Sequence, residues 1–114
     1  MLNHVVLLKF KSGVTESDIK TLADMLDDLP NKITEIHSYE FGRDIIRSPR
    51  SYDFALVSLF ANLEALERYQ QHRRHLPVLK KIKELCEHVA TVDFEGSDAG
   101  AINLERPTWD FKPI

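Results

Sequence analysis

The stretch Tyr69-Gln70-Gln71-His72-Arg73-Arg74-His75 is the densest group of titratable side chains in the sequence. Histidine exchanges protons near neutral pH, so it can serve as a general base or acid. A tyrosine beside it can donate a hydrogen bond to an oxyanion as that charge develops. Tyr69 and His72 are spaced i, i+3 and share a face if the segment is helical. His75 lies a further turn along, just before Leu76-Pro77. A helix break at Pro77 lets a side chain turn into a cavity that a regular helix would miss. The same spacing also suits two partly exposed histidines at a helix end and a core tyrosine. Spacing alone leaves both readings open.

His4 is the second candidate. It shares a strand face with Val6 and Leu8, and if that face meets the helices it approaches the Tyr69 segment; a strand-end histidine held by a hydrogen bond is the plainer alternative. His4, His72 and His75 together could hold a metal ion. There is no HxH or HExxH pattern, however, and no metal is expected. Arg43, Arg47, Arg50, Arg73 and Arg74 could gather at a pocket mouth around a carboxylate or phosphate, or form a solvated surface. No Gly-rich phosphate loop or CxxC is present. Cys86 falls on the apolar side of its segment, where an inert core thiol is expected.

These groups need elements to position them. His4 to Lys11 reads as a first strand with Val5 and Leu7 on the face opposite His4, Val6, Leu8 and Phe10. Thr15 to Asp18 reads as a helix start. Ile19, Leu22, Ala23, Leu26 and Leu29 mark one helical face, and Pro30 is expected to end the helix. Ile36 to Asp44 alternates as a second strand, and Asp53 to Ala61 as a third. Asn62 caps a second helix with Leu63, Leu66, Tyr69 and Gln70 along one side. After Pro77 a further helical piece turns Val78, Leu79, Ile82, Leu85 and Cys86 inward. Val89 to Glu95 is the last strand.

The order β-α-β-β-α-β predicts an α+β, ferredoxin-like sandwich: a four-stranded antiparallel sheet with its helices on one face. Several strands are apolar on both faces, so the bare face needs cover. A homodimer closed sheet to sheet is the simplest solution. Residues 97–114 lack periodicity yet carry Ile102, Leu104, Trp109, Phe111 and Ile114, which suits an arm packed on its own body or on the partner.

The chain has 114 residues, 43% hydrophobic and 29% charged, with a formal net charge of −3. That fits a single folded domain and excludes a disordered chain. The weakly acidic balance gives no reason to expect nucleic acid or an anionic membrane as partner. No apolar run approaches the ~20 residues of a membrane span, and the opening residues lack a signal peptide's basic region. A lone cysteine excludes an internal disulfide and suits a cytoplasmic setting.

Four segments resemble the stress-responsive A/B barrel (Dabb) family: HVVLLKFK, YEFGRD, SYDFALVSLF, and Tyr69-x-x-His72-x-x-His75 with its following Leu-Pro. The resemblance spans residues 1–96 and implies a dimeric α/β barrel. Many members have no known activity, and one plant member is a polyketide cyclase. Likeness to that cyclase implies Tyr69 and His75 as the catalytic pair, acting by proton transfer next to a carbonyl, with no cofactor. It implies His4, Val6, Leu8, Leu22, Leu26, Phe54, Leu56, His72, Cys86 and Val89 as positions lining a small-molecule pocket. Phe54 stands where the cyclase has a histidine, Cys86 replaces an aromatic residue, and Leu22 and Leu26 stand for first-helix aromatics. These departures imply a different substrate. The resemblance also suggests a weak cation site of backbone carbonyls near Leu26, Leu29 and Lys32. A non-catalytic structural oligomer and a cofactor-free monooxygenase on the related barrel are the alternative functions.

Overall fold

The computed structural model describes residues 1–96, so the expected arm over 97–114 lies outside the described residues. The elements are β1 (Leu2–Phe10), α1 (Glu16–Lys32), β2 (Ser38–Arg43), β3 (Phe54–Phe60), α2 (Leu63–Gln71), α3 (Leu76–Leu85) and β4 (Cys86–Glu95). The strands form one antiparallel sheet in the order β2-β3-β1-β4, the expected ferredoxin-like arrangement.

The helices bury one face of this sheet. Leu2, Val6 and Leu8 of β1 and Phe54, Leu56 and Phe60 of β3 pack there against Leu22, Leu26 and Leu29 of α1 and Leu66 and Tyr69 of α2. Period-two alternation on the strands and i, i+3, i+4 spacing on the helices put these residues on facing surfaces. The opposite face carries Val5, Leu7, Ala55, Val57, Leu59, Ala90, Val92 and Phe94 in neighbouring register positions. Val57, Val92 and Phe94 are 42%, 60% and 48% exposed there.

Thr15 caps α1 as expected. Its hydroxyl accepts the Asp18 N–H (3.1 Å), and the Asp18 carboxylate accepts the Thr15 N–H (3.0 Å). Pro30 does not end α1; the helix runs through it to Lys32. Proline removes only the bond to the Leu26 carbonyl, while buried Leu29 and Ile33 anchor the last turn and Ile33 N–H bonds Leu29 O at 2.9 Å. That bond occupies Leu29 O, and Asp28 pairs with the Lys32 ammonium at 2.5 Å.

Two further positions differ from the pattern. Leu63, expected inward, is 56% exposed at the first turn of α2, where Ala65 and Leu66 take the buried side. Cys86 is not helical: it is the C-cap of α3 with extended backbone and opens β4. Pro77 sits at the start of α3, and the helical path breaks earlier, between His72 and His75. Among the described residues, no helix is long and apolar enough to cross a membrane.

Candidate functional site

One register row crosses all four strands on the helix-facing side: Tyr39 on β2 opposite Ser58 on β3, Ser58 opposite His4 on β1, and His4 opposite Asp93 on β4. The next row, Phe41, Leu56, Val6 and Thr91, is largely apolar. A polar row in an apolar face must satisfy its own hydrogen bonds. Ser58, fully buried, donates from Oγ to the His4 carbonyl at 3.2 Å. His4 Nδ1 lies on the Asp93 carboxylate, which can only accept, so Nδ1 carries the proton and donates it. Tyr39 reaches up from the row to the helices, and its hydroxyl lies 2.6 Å from that of Tyr69.

The helix break supplies the roof. Tyr69 sits two residues before the end of α2 and is 1% exposed. His72 then turns extended, and the chain re-enters a helix after His75. His75 is buried at the head of α3, its ring centroid 4.2 Å from that of Tyr69. His75 Nδ1 faces the Gln70 carbonyl at 3.3 Å. Since a carbonyl accepts only, Nδ1 holds the proton there and Nε2 keeps its lone pair.

Burial sets the protonation of this group. Loss of hydration holds the His75 imidazole below its usual value; the Gln70 carbonyl opposes this, and the nearby His4 and His72 charges reinforce it. Burial pushes the Tyr69 hydroxyl up to about 12, against the opposing hydrogen bond from Tyr39. Tyr39 is raised further, by burial first and then by Tyr69. At neutral pH the site therefore pairs a neutral imidazole with protonated hydroxyls.

Two residues of the row, His4 and Tyr39, and the roof line a half-open cavity of about 280 Å³. His4, Tyr39, Tyr69, Gln70, His75 and Thr91 are its polar wall; Val6, Leu26, Leu56, Val78, Leu79, Ile82 and Val89 form the apolar remainder. That volume is about twice the ~150 Å³ of an apolar cavity that takes up benzene. It suits a substituted ring or a short chain with a few polar atoms.

Of the positions expected to line a pocket, Tyr69, His75, His4, Val6, Leu26, Leu56 and Val89 meet at this cavity. Leu8, Leu22 and Phe54 pack in the core instead. Cys86 is also buried in the core, and burial with Asp53 nearby pushes its thiol up to about 11. His72 faces away because α2 ends at Gln71; its Nδ1 accepts the Arg74 N–H at 3.0 Å. The five arginines do not line the cavity, and Arg43 pairs with Glu16. Among the described residues, no three His, Cys, Asp or Glu side chains gather as a metal set. Gln70, Val78, Leu79 and Ile82, expected on inward helix faces, also line the cavity, and Tyr39 and Thr91, with Asp93 behind His4, join the site without any sequence expectation of it.

Residues 2–96 match the family model of the Stress responsive A/B Barrel Domain. An uncharacterized protein of Streptomyces coelicolor is 32% identical over 77 residues, covering 66% of this chain and 79% of the relative. A dimeric ferredoxin-like protein of unknown function from Thermobifida fusca superposes with a TM-score of 0.75 at 28% identity, covering 82% of this chain and 88% of the other. The hydroxynitrile lyase of Passiflora edulis shares the fold at a TM-score of 0.77 and 17% identity, covering 85% and 94%. Matched from its first strand to the end of its last, the chain belongs to the stress-responsive A/B barrel (Dabb) domain family.

Proposed function

We propose that this protein binds a small carbonyl compound in the cavity between sheet and helices and moves a proton at the carbon next to the carbonyl. The close approach of Tyr69 and His75 on one cavity wall carries this reading. His75, neutral through burial and with Nδ1 held by Gln70, offers Nε2 as the base. Loss of the proton leaves an enolate. Its oxygen takes a hydrogen bond from the Tyr69 hydroxyl, which stays protonated at neutral pH. Such a step needs only a base and a donor in an apolar enclosure, as in other sites that pair environments of different basicity. A cyclase- or lyase-type reaction follows if the enolate then attacks or expels a neighbouring group. A merely structural oligomer has no use for a cavity with converging polar groups, which favours the binding reading.

The working unit is a homodimer, closed over the outer face that carries Val5, Leu7, Val57, Val92 and Phe94. This face is apolar and exposed in the single chain, and the matched relative from Thermobifida fusca is described as dimeric. The single free thiol, Cys86, fits a reducing cytoplasm.

The test needs no known substrate. Ketones small enough for the cavity are incubated in deuterium oxide, and deuterium uptake beside the carbonyl is followed by NMR. The expected result is uptake above buffer with at least one ketone, lowered ~100-fold or more by His75→Ala and by Tyr69→Phe. Uptake that ignores both substitutions sinks the proposal.

A further inference from the structure

We propose that Tyr39 is the positioning residue for the oxyanion donor: its hydroxyl donates to the Tyr69 oxygen and leaves the Tyr69 proton for the ligand in the cavity. This role rests on the acid–base reading of Tyr69 and His75.

The geometry is specific. Two hydroxyls 2.6 Å apart share one hydrogen bond, so one proton lies between the oxygens and one is left over. Among the described residues no other protein acceptor meets either oxygen, and both side chains line the cavity. The spare proton is therefore available only to what the cavity holds. Tyr69 is the better owner of it. Its ring packs 4.2 Å from His75, while Tyr39 stands behind it, its ring 6.2 Å from that of Tyr69. A ligand proton removed by His75 leaves its negative charge nearer Tyr69.

The consequence is a relay of two hydrogen bonds ending on the ligand oxygen. A donor that itself accepts a hydrogen bond is polarised and donates more strongly in a low-dielectric site. Tyr39 also fixes the direction of the Tyr69 O–H, which would otherwise rotate about its C–O bond. The preferred ligands are accordingly small, largely apolar molecules with one oxygen that is anionic or becomes so: enols, enolates and phenols.

The probe is 4-nitrophenol, whose phenolate is read by its colour; nitrobenzene is the neutral, similarly shaped control. Wild-type protein should bind the phenolate and lower the pH at which the bound probe ionises. Tyr39→Phe should weaken phenolate binding roughly three- to tenfold and leave nitrobenzene binding within about twofold. An unchanged phenolate affinity, or equal weakening of both ligands, overturns the positioning role. Tyr69→Phe separates the two levels of inference. If Tyr69→Phe weakens phenolate binding and Tyr39→Phe does not, only the role of Tyr39 fails. If neither matters, or the wild type binds no phenolate, the acid–base site fails and takes this role with it. A measurement on wild-type protein covers the case in which Tyr39→Phe does not fold. With phenolate bound, two strongly downfield hydroxyl protons are expected by NMR, one for each link of the relay; a single one overturns it.

Discussion

The Tyr39–Tyr69 contact makes a stability prediction that needs no ligand. Each hydroxyl is the protein partner of the other, at 2.6 Å, and Tyr69 is almost wholly buried. Tyr69→Phe strands the Tyr39 hydroxyl, and Tyr39→Phe strands that of Tyr69. Leaving a buried polar group unpaired costs about 1–3 kcal/mol. Replacing both partners by apolar groups of the same shape strands neither, so the double variant should lie within about 1 kcal/mol of wild type. The two single variants, each destabilised by about 1–2 kcal/mol, thus sum to more than the double loses, a coupling of about 1–4 kcal/mol. For a domain of this size each kcal/mol moves the melting temperature by about 4–8 °C. The assay is urea and thermal unfolding of all four proteins at one fixed protomer concentration, because the stability of the proposed dimer would depend on concentration. Single-variant losses that add within about 0.5 kcal/mol would refute the reasoning. Cavity water would then satisfy each stranded hydroxyl as well as its protein partner does.

Further outcomes follow from the same structure. Because burial depresses His75 in the fold, the unfolded chain takes up its proton first as pH falls below the ordinary value of about 6.5. Stability present above that pH should be lost as it falls toward the lower folded value, and His75→Gln should flatten this slope in melts across about pH 7.5–5.5; equal slopes in both proteins would contradict it. Val57→Asp sets a charge on the outer sheet face, so light scattering should find the wild type dimeric and the variant monomeric; a dimer that survives puts the interface elsewhere. Cys86, buried and raised to about 11, should resist thiol reagents at about pH 8 until urea unfolds the protein, and rapid labelling of the native protein would count against its placement.

Local pattern carried most of the fold. The apolar, β-branched-rich runs of β1 and β3 are too short for buried helices, and the Ile19–Leu22–Leu26–Leu29 stripe of α1 has the helical period, so these elements were legible. Tyr69 and His75 were legible as candidates because they lie in the densest titratable stretch, and His4 because it opens an otherwise apolar strand. Tyr39 and Asp93 were not assigned to the site, since what brings them to it is cross-strand register. Register is fixed by pairings between residues 89 positions apart, such as His4 with Asp93, and no short window contains both partners. His72 was placed on the Tyr69 face by extending helical geometry one residue past Gln71, where the chain in fact turns extended. Cys86 was read as helical for a similar reason: apolar spacing continues across the joint between α3 and β4, while the backbone changes conformation there. Pro30 was read as a stop because the propensity rule counts its missing donor. The buried neighbours that hold the last turn of α1 outweigh that loss.

The row Tyr39, Ser58, His4 and Asp93 takes one residue from each strand, so no single segment of the chain contains the site. That distributes its tolerance to change in length unevenly. The connection between β2 and β3, from Asp44 to Asp53, can grow or shrink without disturbing the row, provided the strands keep their pairing. One residue added inside β3 before Ser58 would send that side chain to the opposite face and bring Val57 or Leu59 into the row between Tyr39 and His4. The same holds for Val5 in place of His4, or Val92 in place of Asp93. Relatives that retune this cavity should therefore do so by substitution in the row and by insertion in the loops. Insertions or deletions within the four strands would abolish the floor rather than reshape it.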